Sequence, residues 1–134
     1  MITLGLSYAA AVTILALLLF FYMGINVARM RGKHGVKAPA MTGHPEFERA
    51  LCVQMNTVEG ALMFLPALWI AAIWFGGWLP AAAGLIWVIG RVVYLIGYMA
   101  APEKREAGFL IQSLAVVALI LLSAWGIGRA LMGM

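Results

Sequence analysis

Charged residues are scarce in this chain. Of its 134 residues, 10% are Asp, Glu, Lys or Arg and 65% are hydrophobic, and the mean hydropathy is +1.00. An average soluble domain carries roughly 25% charged residues. The deficit excludes an ordinary soluble domain and predicts an integral membrane protein, for which no nucleic-acid partner is expected.

Cysteine and histidine are also scarce. Cys52 is the one cysteine, which excludes an internal disulfide, and His34 and His44 are the only histidines. Structural zinc sites are built mostly from thiolate and imidazole ligands. We therefore expect no metal site.

A basic segment ahead of the first apolar run is missing as well. Signal peptides combine a basic start with an apolar region of about 7 to 15 residues, and the first run here is longer than that. We expect this run to be a helix of the mature protein.

Apolar runs occupy residues 2–27, 50–78, 79–101 and 107–131. Each is long enough for the roughly 20 helical residues that cross a hydrocarbon core. The runs predict an all-α fold, an integral membrane four-helix bundle that forms one domain over residues 1–134. No internal repeat or low-complexity linker divides it.

Helix boundaries are indicated by proline, glycine and acidic residues. The sequence predicts a turn at residues 76–78 and a helix start at Pro45, where Glu46 and Glu48 face the positive end of the helix dipole. Glycines and prolines between residues 32 and 45 predict a non-helical first connection.

Basic residues are concentrated in two of the connections. The first holds Arg29, Arg31, Lys33 and Lys37, and the third holds Lys104 and Arg105. By the positive-inside rule, both connections face the cytoplasm and both termini lie on the opposite side. The membrane is the inner membrane if the chain is bacterial. Most of these cations are expected to set topology or contact anionic lipid headgroups.

Polar side chains nevertheless occur at membrane depth. The second run carries Gln54, Asn56 and Glu59, and the third carries Arg91, Tyr94 and Tyr98. At about 1.5 Å of rise per residue, both sets lie roughly 20 to 30 Å from their shared turn. Ionisable residues in membrane spans normally face a cavity or a partner. The two sets predict a ligand site in the cytoplasmic half, although helix rotation leaves open whether their faces meet.

Structural interpretations of the same residues remain open. Glu59 and Arg91 could form a buried ion pair that fixes helix register. Arg105 could be an ordinary solvated loop charge. Gln112 and Ser113 are predicted to be interhelical hydrogen-bond partners. The tryptophans are interpreted as interfacial or lipid-facing anchors: Trp69, Trp74, Trp78, Trp87 and Trp125.

Several motifs together resemble one known family. They are residues 42–49, with the sequence Thr-Gly-His-Pro-Glu-Phe-Glu-Arg; Gln54, Asn56 and Glu59; residues 90–94, with Gly-Arg-Val-Val-Tyr; Gly97-Tyr98; and Arg105. The set resembles the membrane-associated proteins in eicosanoid and glutathione metabolism. The resemblance covers nearly the whole chain and is specific as a set, since no single motif would suffice.

The resemblance implies a homotrimer of four-helix protomers that binds glutathione between adjacent subunits. Family enzymes conjugate glutathione to lipophilic electrophiles, reduce lipid hydroperoxides or isomerise lipid endoperoxides. The positions that match glutathione contacts are Arg31, Gln54, Asn56, Glu59, Arg91, Tyr94 and Tyr98. Arg105 matches the arginine that stabilises the thiolate. Arginines would suit the carboxylates of glutathione, and Glu59 would suit its ammonium group.

Two positions depart from the family pattern. Cys52 stands where many family enzymes have an arginine, and Gly60 stands where several have a tyrosine or another large residue. Cys52 is interpreted either as a small apolar filler or as a reactive thiol in the pocket. A non-catalytic lipid-binding or scaffold protein of the same fold is the alternative function. A transporter is less favoured, because the chain lacks paired broken helices.

Overall fold

Four long helices make up the computed structural model, which describes residues 2–134. They are α1 (Leu4–His34), α2 (Pro45–Trp74), α3 (Leu79–Ala100) and α4 (Glu106–Leu131), and a 3₁₀ turn (Pro102–Arg105) precedes α4. All four are long and apolar enough to cross a membrane. The predicted all-α membrane bundle is confirmed, and no strand occurs in residues 2–134.

Helix α1 is longer than the sequence indicated. It runs through Gly32 to His34 and ends at Gly35, which has φ 66° and closes the helix by donating its N–H to the Arg31 carbonyl. The predicted non-helical connection is confirmed over residues 35–44, but its expected start at Gly32 was wrong. One glycine inside a helix costs only about 1 kcal/mol. The last turn of α1 also gains contacts with the next helix, because Lys33 and His34 both bind the Glu46 carboxylate, at 2.9 and 2.7 Å.

Helix α2 begins at Pro45, as predicted. His44 is its N-cap, and the His44 Nδ1 accepts a hydrogen bond from the Glu46 N–H at 3.1 Å. Proline suits the first turn because its missing N–H has no helical partner there.

The turn between α2 and α3 lies at residues 75–78, where Gly76 and Gly77 have φ values of 80° and 68°. Glycine adopts this left-handed region without the steric cost that a Cβ would add. The turn makes α2 and α3 antiparallel neighbours. It lies where the sequence predicted the turn from which the membrane depth of the polar residues is counted.

Trp87 contradicts its interpretation as a membrane anchor. Its side chain is fully buried, stacked on Phe64 with ring centroids 3.9 Å apart and in edge contact with Phe20 at 6.1 Å. Burial is possible because the indole N–H donates to Gln112 at 3.1 Å. Trp78 and Trp125 are exposed on the bundle surface, where an anchor must lie.

Helix α3 closely approaches α4 and the 3₁₀ turn before it at two glycines. A Cβ on Gly108 of α4 would overlap the backbone of Tyr94 and lie 2.7 Å from the Gly90 carbonyl. Near the C-terminal end of α3, a Cβ on Gly97 would overlap the Lys104 carbonyl of the 3₁₀ turn. Small residues allow membrane helices to pack backbone to backbone. This packing sets the position of Tyr94 relative to the 3₁₀ turn that carries Arg105.

Candidate functional site

A polar cavity of about 410 Å³ opens where α2, α3 and α4 meet. Its walls are Asn56, Tyr94, Arg105, Glu106 and Phe109. Three of the five residues were predicted from the sequence to belong to a ligand site. The volume is in the range of small-molecule sites, about 300 to 1,000 Å³.

Arg91 lies behind this cavity. The side chain is 1% exposed, and its Nη2 donates to Asn56 Oδ1 at 3.0 Å and to Thr57 Oγ1 at 2.6 Å, while Nε donates to Thr57 Oγ1 at 3.2 Å. The guanidinium also lies 4.2 Å from the centre of the Tyr94 ring. These contacts offset the cost of burying the cation.

The buried ion pair between Glu59 and Arg91 does not form. Within residues 2–134, the ion pairs are those of Glu46 with Lys33 and His34. Glu59 instead is exposed on the surface of the protomer. The structural interpretation of Glu59 as a register-fixing partner was therefore wrong, and its carboxylate is open to a ligand.

Asn56 is oriented by Arg91. A guanidinium can only donate hydrogen bonds, so the Asn56 side chain must turn its oxygen to Arg91. Its amide nitrogen is then left to donate to a group in the cavity. The sequence left open whether the polar faces of α2 and α3 meet, and at this pair they do.

Thr57 was missed by the sequence analysis. Its hydroxyl accepts two hydrogen bonds from Arg91 and donates to the Val53 carbonyl at 2.7 Å. The available signal was its place beside Asn56 at membrane depth. A threonine in a helix commonly satisfies its own hydroxyl on the preceding turn, and for that reason it was not singled out.

Aromatic and cationic groups lie close together at the edge of the cavity that carries Arg105. The Tyr94 and Tyr98 rings lie 5.6 Å apart, and the Arg105 guanidinium lies 5.7 Å from the centre of the Tyr98 ring. Cys52 is exposed and lies beside the Tyr98 hydroxyl. Arg105 is also exposed, as a loop charge would be, but it forms part of the cavity wall.

An apolar cleft of about 390 Å³ adjoins the polar cavity along α2 and α4. The two share Asn56 and Phe109. The remaining walls are Glu59, Gly60, Met63, Gln112, Ser113, Val116, Val117 and Ile120. A polar chamber therefore adjoins an apolar one, and Glu59 lies on the wall of the apolar cleft.

Arg31 and Gln54 lie on another side of the protomer. Arg31 donates from Nη1 to the Ala40 carbonyl at 2.7 Å and covers the Phe47 ring at 4.6 Å. Gln54 lines surface pockets beside Phe20, on the side of α2 that faces α1. The structure does not bring these two residues together with the polar cavity.

The cavity can hold a ligand with several polar groups. Arg105, the Asn56 amide and the Tyr94 hydroxyl supply a cation and neutral donors, and Glu59 supplies an anion within reach of the adjoining cleft. Carboxylates, peptide carbonyls and an ammonium group are the matching chemistry. Glutathione, the substrate that the family resemblance implies, carries all of these groups.

Comparisons with known proteins give a consistent result. Residues 9–125 match the model of the MAPEG family. Human microsomal glutathione S-transferase 2 is 40% identical over 122 residues, covering 90% of this chain and 82% of the human protein. Leukotriene C4 synthase of Cavia porcellus is 36% identical over 118 residues, covering 88% and 79%. An uncharacterised protein of Synechocystis is 44% identical over 115 residues, covering 86% and 84%.

Proposed function

Because the chain belongs to the MAPEG family, we propose that it is a glutathione-dependent membrane transferase or peroxidase. Its second substrates are lipophilic electrophiles or lipid hydroperoxides. The observation that carries the proposal is the position of Arg105, which lines a polar cavity that shares two wall residues with an apolar cleft. A polar thiol and an apolar electrophile would meet at the junction of the two.

Arg105 is proposed as the catalytic residue. A thiol with an ordinary pKa of about 8.5 is mostly protonated at neutral pH, and a nearby guanidinium favours the thiolate that attacks. Asn56 and Tyr94 would hold the polar groups of glutathione, and Glu59 would hold its ammonium group. Arg91 would act indirectly, by holding Asn56 in place.

Two reactions are compatible with this arrangement. In conjugation, the sulfur forms a bond to an electrophilic carbon, and either a leaving group departs or the adjacent carbon of an activated double bond takes up the proton. In peroxide reduction, two glutathione molecules are oxidised to the disulfide while the O–O bond is cleaved, which yields an alcohol and water. Neither reaction requires a metal or a further cofactor.

A homotrimer would complete the site. Arg31 and Gln54 lie on the α1 side of the protomer, away from the polar cavity. If the α1 side of one copy packs against the cavity of the next, both residues join a site shared between subunits. We place this site in the cytoplasmic half of the membrane on the basis of the basic connections.

Asn56→Asp is expected to reduce glutathione affinity by about tenfold or more, which is the typical effect of losing a hydrogen bond to a charged group. The new carboxylate keeps an acceptor for Arg91, so the fold is retained, but it removes the amide donors and repels carboxylates. Isothermal titration of glutathione into detergent-solubilised protein measures the change.

Asn26→Asp is the matched control. Asn26 is buried, accepts from the Arg29 guanidinium at 2.9 Å and donates to the Met99 sulfur at 3.9 Å, and it does not line the polar cavity. The Asn26→Asp variant should bind glutathione with the same affinity as the wild type. Equal affinity for glutathione in the wild type and Asn56→Asp would remove Asn56 from the site. A wild type that neither binds glutathione nor turns over electrophiles would favour the non-catalytic lipid-binding alternative.

Cys52→Arg is expected to raise glutathione affinity about tenfold, because a guanidinium beside the Tyr98 hydroxyl would add a partner for a carboxylate. Cys52→Ala is the control and should leave affinity unchanged, since the thiol is not needed for binding. Isothermal titration of glutathione into both variants measures the two affinities. Weaker binding by Cys52→Ala would show instead that the thiol itself contributes to the pocket.

A further inference from the structure

A hydrogen-bond network crosses from the buried core to the wall of the apolar cleft. Gln112 of α4 is 8% exposed, and its Oε1 accepts from the Trp87 indole N–H at 3.1 Å. Its Nε2 donates to the Ser113 hydroxyl at 2.7 Å and to the Phe109 carbonyl at 3.2 Å. An amide at this depth is costly unless satisfied, and here each end has a partner.

The network determines which group in it donates each hydrogen bond and which group accepts. An indole N–H can only donate, so Gln112 must turn its oxygen to Trp87 and its nitrogen to Ser113. The Ser113 oxygen therefore accepts a hydrogen bond and keeps its own proton for donation. Ser113 is half-buried and lines the cleft, so the proton is available to a molecule bound there.

Other hydroxyls on these helices donate their proton to the backbone, and Ser113 does not. Thr13, Thr57 and Ser123 each donate to the carbonyl four residues earlier, at 2.7 to 2.8 Å. The equivalent acceptor for Ser113 is the Phe109 carbonyl, which receives Gln112 instead. Within residues 2–134 the Ser113 hydroxyl makes no hydrogen bond as a donor.

We propose that Ser113 selects the second substrate by donating a hydrogen bond to an uncharged oxygen atom of that otherwise apolar molecule. This rests on the proposed function, because it assigns the occupant of the cleft next to the thiolate. Gln112 is a positioning residue, which keeps Ser113 from turning back to its own helix.

The surroundings of Ser113 define the substrate class. Most of the cleft wall is apolar, which suits an alkyl chain or ring, and the exposed Glu59 carboxylate on the same wall disfavours an anionic group. Ser113 lies two helical turns, about 12 Å, beyond Arg105 along α4. The preferred substrates are therefore lipophilic electrophiles with a carbonyl, epoxide or hydroperoxide oxygen buried in the cleft, over oxygen-free ones.

Two probes of similar chain length separate these classes. trans-2-Nonenal has a carbonyl oxygen and reacts by addition: the sulfur bonds to the β-carbon, and the neighbouring carbon takes a proton from water. 1-Iodooctane has no oxygen and reacts by displacement, in which a carbon–sulfur bond forms and iodide leaves. The kcat/KM for glutathione conjugation of each is measured after subtraction of the uncatalysed rate.

Ser113→Ala is expected to reduce kcat/KM for nonenal by about tenfold while leaving that for iodooctane within about twofold. Ser113→Thr retains a hydroxyl and should restore most of the nonenal activity. Gln112→Met frees the Phe109 carbonyl for Ser113 and should produce the same selective loss as Ser113→Ala. Ser123→Ala, a buried serine on the same helix, should change the two probes equally.

The outcomes separate this inference from the function on which it rests. Wild-type turnover of both probes, with Ser113→Ala lowering both equally or neither, overturns the role of Ser113 and leaves the glutathione-dependent activity standing. A wild type that turns over neither probe overturns both. Glutathione titration of Ser113→Ala should match the wild type, and weaker binding would place Ser113 in the thiol-substrate site instead.

Discussion

Arg105→Ala is expected to lower glutathione-dependent turnover at pH 7 by about tenfold or more while leaving most glutathione binding intact. Arg105 lies at the end of the 3₁₀ turn, on the wall of the polar cavity and beside the Tyr98 ring. In the proposed reaction its guanidinium would favour the thiolate and so lower the pKa of a bound thiol. Without it, that pKa returns toward its ordinary value and less thiolate is present at pH 7.

The prediction also specifies how the activity deficit of Arg105→Ala changes with pH. A thiol of raised pKa becomes ionised at higher pH, so the activity deficit of Arg105→Ala should shrink as the pH rises through about 8.5. Steady-state rates with a saturating lipophilic electrophile measure it. An unchanged profile and rate would remove Arg105 from the reaction.

Lys104→Ala is the matched control for Arg105→Ala. Lys104 is the preceding residue and carries the same charge, but it does not line the cavity. A loss of activity in both variants would indicate a general effect of surface charge. A loss confined to Arg105→Ala supports a local role, which the solvated-loop interpretation of this arginine does not predict.

Gly108→Ala is expected to destabilise the bundle by about 3 kcal/mol and to abolish most activity. The added Cβ would overlap the Tyr94 backbone and press on the Gly90 carbonyl. Backbone atoms cannot move aside as a flexible side chain can, so α3 and α4 must separate. Tyr94 would then shift relative to Arg105. Thermal unfolding of the detergent-solubilised protein and the turnover rate measure the two effects.

Gly128→Ala on the same helix provides the comparison. A Cβ on Gly128 meets no atom within 4 Å, and alanine favours a helix over glycine by about 1 kcal/mol. Its unfolding temperature should be unchanged or higher, with normal turnover. If Gly108→Ala behaved like Gly128→Ala, the close approach of α3 and α4 would not be needed for stability.

The sequence predicted the fold more completely than the site. Long apolar runs, Pro45 and the glycine turn at residues 76–78 are local features, and the helices follow them closely. The end of α1 was misplaced, because contacts of Lys33 and His34 with Glu46 extend the helix past Gly32. Those contacts lie between residues distant in the chain, which no local pattern reports.

Helical spacing placed Asn56 and Arg91 on faces that could meet, and they do meet. Spacing could not show that Arg91 would bind Asn56 and Thr57 while Glu59 stayed exposed. That choice depends on the rotation of each helix about its axis. A rotation changes every partner of a side chain and leaves the hydrophobic pattern almost unaltered.

What the sequence by itself determined is the membrane class, the four spans and the identity of the polar residues, since hydrocarbon excludes charged groups except where they are used. Only the tertiary structure decided which polar groups converge. It placed Arg91 behind the cavity, separated Arg31 and Gln54 from it, and joined Trp87, Gln112 and Ser113 in one network. The physical reason is that hydrogen bonds are directional and short, so partners are selected by helix packing, which the backbone contacts at Gly90 and Gly108 fix.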